Sequence, residues 1–66
     1  MEQEIREAIE SALSGNPGVS EGYLLQTVKN AHGFESDVVL PVLRAMIQTG
    51  DVVRDGILLK LRLKKL

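Results

Sequence analysis

Cysteine is absent from this 66-residue chain, and histidine occurs once, as His32. Without cysteine there is no disulfide and no thiolate metal ligand, and the composition fits a reducing compartment. One histidine cannot build a structural zinc site, which takes four cysteine or histidine ligands. No apolar run approaches the roughly 20 residues that a membrane span requires. The start, Met1-Glu2-Gln3-Glu4, is acidic and lacks the positive region of a signal peptide. These absences lead to the expectation of a cytoplasmic protein with no membrane association. Internal repeats and low-complexity segments are missing too. No phosphate-binding glycine loop is present: Gly15, Gly18 and Gly22 punctuate the chain, and no Gly-Lys-Ser/Thr follows them. No nucleophile or acid is spaced recognisably around His32, so nothing points to an enzyme, a cofactor or a small-molecule ligand.

What is present is an ordinary globular balance, 44% apolar and 26% charged residues. A chain this short is expected to form one domain, residues 1–66, burying only about 60% of its unfolded surface. The net charge of -1 hides an asymmetry. Residues 1–33 carry Glu2, Glu4, Glu7, Glu10 and Glu21 against Arg6 and Lys29. Residues 34–66 carry Glu35, Asp37, Asp51 and Asp55 against Arg44, Arg54, Lys60, Arg62, Lys64 and Lys65. Such a dipolar chain can present a basic face while staying acidic overall.

Ile5, Ala8, Ile9, Ala12 and Leu13 recur at helical spacing and predict a one-sided apolar stripe. Glutamates load the first turns, where the helix dipole favours them. Gly15-Asn16-Pro17-Gly18 is expected to end this helix. Ser20 is the candidate N-cap of a second helix with Leu24, Leu25, Val28 and Ala31 inward and Tyr23 at the margin. His32-Gly33 ends it, His32 lying where it favours the dipole, and Phe34 is expected to plug the turn into the core.

Ser36 or Asp37 can cap a third helix whose buried stripe is Val39, Leu40, Leu43, Met46 and Ile47. Pro41 falls near its start, where it removes at most one intrahelical bond. Gly50 supplies a left-handed stop. Asp55-Gly56 between two apolar runs then signals a type I′ hairpin turn. That register pairs Arg54 with Ile57, Val53 with Leu58 and Val52 with Leu59. Val52, Arg54, Ile57, Leu59, Leu61 and Leu63 would share the core face. Asp51, Val53, Leu58, Lys60, Arg62 and Lys64 would share the outer one. Val19 can add a third short strand.

Helix, Val19 segment, helix, turn, helix, hairpin resembles the winged helix-turn-helix family. Pro17-Gly18-Val19-Ser20 leading into Tyr23-Leu24-Leu25 is similar to the entry of that family's second helix. Leu43, Met46-Ile47, Gly50 and Val52-Val53 are similar to its third-helix ending. The resemblance covers nearly the whole chain. It implies an α+β fold, a small three-helix winged helix-turn-helix with a C-terminal β-hairpin wing.

The resemblance also implies duplex DNA binding in a regulatory or genome-handling role. The reading helix would be 36–49 and the wing tip Asp55-Gly56. Arg44 and Gln48 would contact the groove, Ser36 and Thr49 the backbone, and Arg54, Lys60 and Arg62 would flank it. Against this, the wing is short with an acidic tip, and Asp37 would stand near phosphates. The outward side of the third helix also carries Val38, Pro41, Val42 and Ala45, an apolar ridge. Its alternative reading is a protein-docking or homodimer surface. The cations Lys60, Arg62, Lys64 and Lys65 can serve phosphate contact or protect an edge strand.

Overall fold

A computed structural model describes residues 1–14 and 18–62. The expected turn at Gly15-Asn16-Pro17 and the expectations for Leu63, Lys64 and Lys65 lie outside the described residues. The chain order is α1 (Glu2–Leu13), β1 (Val19–Ser20), α2 (Glu21–His32), α3 (Ser36–Thr49), β2 (Val52–Asp55) and β3 (Leu58–Leu61). The three strands form one antiparallel sheet in the order β1-β3-β2. This is an α+β fold whose element order is compatible with the expected winged-helix layout.

Each helix exists for the reason its pattern suggests. Along α1 the stripe Ile5, Ala8, Ile9 and Leu13 is buried, while Glu2, Glu4, Glu7 and Glu10 face solvent. Ser20 caps α2, its Oγ accepting the Tyr23 amide at 3.2 Å. Such a cap is worth about 1 kcal/mol against alanine. The buried strip of α2 is narrower than expected, with Leu24 and Val28 fully buried and Leu25 half-buried. Ala31, expected inward, is exposed on the rim of a shallow groove between α1 and α2 that Tyr23 and Thr27 also line. Phe34 is half-buried against the core as expected, and its ring stacks on His32 at 6.1 Å.

The spacing of α3 brings Val39, Leu43 and Met46 into the core, with Leu40 and Ile47 half-buried beside them. Neither Ser36 nor Asp37 caps it. The N-cap is Glu35, which is extended and makes no side-chain cap bond. Its carbonyl instead accepts the Val38 and Val39 amides, each at 3.1 Å, and its carboxylate lies 3.5 Å from Lys29 Nζ. The helix therefore begins one residue earlier than a side-chain cap would dictate. Pro41 becomes the sixth helical residue, yet the helix runs unbroken to Thr49. The bond that proline cannot donate is the one to the Asp37 carbonyl.

The hairpin register differs from expectation by two residues. Val52 faces Leu61, Val53 faces Lys60, Arg54 faces Leu59 and Asp55 faces Leu58. The turn is thus Gly56-Ile57, with Gly56 at φ 64 and no non-glycine residue at positive φ among the described residues. A type I′ turn at Asp55-Gly56 would force Asp55 into the left-handed region. The observed turn needs positive φ at its first central position only, as in type II′, and glycine supplies it without strain. Because side chains alternate with period two, a two-residue shift preserves the faces. Val52 and Leu59 remain buried and Leu61 half-buried. Ile57, expected on the core face, is instead at the turn and 78% exposed.

One core joins these parts: the α1 stripe, Val19, Leu24, Val28, the α3 stripe, Val52 and Leu59. Val19 pairs with Leu59, which fastens the α1–α2 connection to the central strand. Full burial of side chains of this kind contributes about 1.5–3 kcal/mol each. No helix among the described residues is long and apolar enough to cross a membrane.

Candidate nucleic-acid interface

The expected site residues fall into three places. The outward surface of α3 holds Asp37, Pro41, Arg44 and Gln48, all exposed. At spacings of four, three and four they form one straight line along the helix, opposite the buried Val39-Leu43-Met46 stripe. Ser36 is also exposed, in the first turn. None of the side chains of Asp37, Arg44 and Gln48 makes an ion pair or side-chain hydrogen bond with another described residue. The apolar ridge is smaller than its sequence suggests. Val42 is half-buried and packs on the core, and Ala45 is half-buried. Val38, 44% exposed, and Pro41 are what remain of it.

The second place is the wing, where Arg54 and Lys60 reside. Arg54 lies on the core-side face of the sheet near its end and reaches Glu21 Oε1 at 3.3 Å, at the start of α2. Lys60 reaches Asp55 across the outer face at 3.8 Å. Both pairs are well exposed, so each contributes little to stability. Val53, Leu58 and Ile57 are exposed around them.

The third place is the foot of α3. Gly50 ends the helix at φ 89, a conformation that favours glycine. Thr49 is turned to structural use here. Its hydroxyl is shared between the Met46 carbonyl at 3.2 Å and Asp51 Oδ2 at 3.0 Å. Asp51 Oδ2 also binds Arg6 Nη2 at 2.9 Å, tying α1 to the α3–β2 corner. Arg62 lies over this corner: a side chain on Gly50 would meet its guanidinium at 3.2 Å. Its amide donates to the Asp51 carbonyl at 3.1 Å. Arg62 also borders a cleft of about 460 Å³ with Glu7, Glu10 and Asp51 on its walls. A cation in that position faces the acidic side of α1 rather than extending the α3 surface.

The structure thus groups Arg44 with Gln48, sets Arg54 and Lys60 apart on the wing, and draws Thr49 and Arg62 into the foot. Sequence reasoning overlooked Arg6, Glu21, Asp51 and Asp55 as the partners of these residues. Arg6 and Asp51 are 45 positions apart, and no local signal links them. From the sequence Asp37 reads as a candidate cap or as an obstacle to phosphate, and its place on the same line as Arg44 and Gln48 follows from the helix phase. Among the described residues no group of three or more histidine, aspartate or glutamate side chains is arranged to hold a metal ion.

Comparison with known proteins finds no family model, curated protein or solved structure that matches this chain.

Proposed function

We propose that the protein binds duplex DNA through the outward line of α3, with the hairpin as a wing beside it. The observation that carries this reading is the unpartnered Arg44-Gln48 pair on the exposed side of α3. Arg6, Lys29, Arg54 and Lys60 each lie against a carboxylate of the chain. Arg44 does not, although it stands on the element that the winged-helix layout presents to a groove. A guanidinium and a carboxamide one helical turn apart can each make paired hydrogen bonds to base edges, arginine to guanine and glutamine to adenine. Arg54 and Lys60 supply phosphate contacts at the wing once their exposed pairs open, and Ser36 can donate to a phosphate near the first turn of α3. The chain acts as a binding module rather than a catalyst, in the cytoplasm, and a homodimer would let it read two half-sites.

Fluorescence anisotropy of labelled duplex DNA at low salt tests this. Binding should weaken as salt rises, and Arg44→Ala combined with Lys60→Ala should weaken it further. Absence of any binding at tens of micromolar protein would remove the reading for the monomer.

A second reading has its own observation. Val38 on α3 and Val53, Ile57 and Leu58 on the wing are exposed, which suits a docking surface for a protein partner or a second copy. Val38→Asp with Ile57→Asp should then abolish self-association or partner capture while the far-UV spectrum stays unchanged. An unaltered mass in solution and unaltered capture would count against it.

A further inference from the structure

We infer that Asp37 is a specificity-determining residue of the α3 surface, an acceptor that selects a base pair offering an exocyclic amine. This rests on the DNA reading above. In a helix docked in the major groove, the N-terminal residues reach the base edges most directly. In α3 the outward residue of that first stretch is Asp37, exposed and without an ion pair among the described residues. It stands in line with Pro41, Arg44 and Gln48. From Asp37 to Gln48 the line runs about 16 Å at 1.5 Å per residue, close to the rise of five base pairs.

An acid in that position is repelled by every phosphate, so it weakens binding to any sequence that offers it nothing. It becomes favourable only opposite a donor, and in the major groove cytosine N4 is the donor that carboxylates accept from. Pro41, four residues on, is exposed on the same line. The line therefore presents an acceptor at Asp37, an apolar ring at Pro41, a donor fork at Arg44 and a two-way amide at Gln48. Matched in order, these suit cytosine, a thymine methyl, guanine and adenine. Among the described residues Arg44 is the cation of this line, and discrimination comes from base edges.

Selection from a randomised duplex pool, run side by side with the wild type, Asp37→Asn and Asp37→Ala, tests the inference. Asp37 is exposed and has no side-chain partner, so both variants should fold, and circular dichroism verifies this. The wild type should enrich cytosine at one position, preferred about 5- to 100-fold over other bases. Asp37→Ala should lose that preference and bind unselected duplex a few-fold more tightly. Asp37→Asn should move the preference toward adenine, since asparagine pairs with adenine N6 and N7. A uniform gain in affinity with the enriched sequence unchanged would overturn the inference while leaving DNA binding intact. Failure of all three proteins to bind any duplex would overturn the DNA reading itself, and this inference with it.

Discussion

The two exposed parts of α3 are built on opposite plans. At its foot every prominent polar group has a job within the fold. Thr49, Asp51 and Arg6 share hydrogen bonds of 2.9–3.2 Å, and Arg62 covers the helix end. Along its outward line Asp37, Arg44 and Gln48 have no side-chain partner among the described residues. The foot is only partly solvated, with Arg6 and Asp51 at 28% and 38% exposure, so its bonds are screened less than those of the wing. The difference separates groups whose role is to fasten α3 to α1 and β2 from groups available to another molecule. Residue type alone does not separate the two groups: Thr49 and Arg62 carry the right chemistry for a phosphate and also lie against the corner.

The largest effect should come from below both regions. Leu43→Ala removes a fully buried side chain from the centre of α3 and should cost about 2–5 kcal/mol, measured by urea denaturation. In a domain this small that is enough to unfold much of the population at ambient temperature. Next, Arg44→Ala should cost about 1–3 kcal/mol in duplex binding. It should leave the denaturation midpoint nearly unchanged, because an exposed residue without partners holds nothing in place. A large loss of stability in that variant would erase the distinction between the two regions.

At the foot, Gly50→Ala should destabilise by about 1–2 kcal/mol, since alanine is strained in the left-handed conformation and its Cβ meets Arg62. Thermal unfolding reads this directly. A smaller loss, about 0.5–1 kcal/mol, is expected for Arg6→Ala, which leaves Asp51 bonded to Thr49 but removes the tie between α1 and the corner. A double-mutant cycle with Asp51→Ala should recover a similar coupling energy. Coupling indistinguishable from zero would show that the Arg6–Asp51 pair adds nothing to the corner.

Much of the fold could be read from residue order. Ser20 announces α2 because serine before an apolar period caps a helix, and Gly33 and Gly50 mark helix ends. The alternation from Val52 to Leu61 identifies strands and assigns their faces correctly even though the pairing slips by two. That slip, and with it the exposure of Ile57, escaped because Asp-Gly fits more than one turn. The choice depends on how the hairpin meets β1 and α2. The start of α3 escaped for a related reason: Ser36 and Asp37 are both good caps by type, but Glu35, with Lys29 beside it, takes the position. Of the candidate site, Arg44 and Gln48 were legible as outward residues. The inward tilt of Val42, which leaves only Val38 and Pro41 of the ridge, depends on the phase at which α3 packs.

From the sequence alone came three helices followed by a hairpin, in that order, with most of their apolar stripes, because those follow from local periodicity and from residues that start or stop a helix. Tertiary structure decided which polar groups are engaged and which remain free. Arg6 meets Asp51, Arg54 meets Glu21 and Arg62 covers Gly50 only after helices and sheet have closed on a common core. Pairing between residues dozens of positions apart depends on distance in space, and no spacing along the chain encodes it.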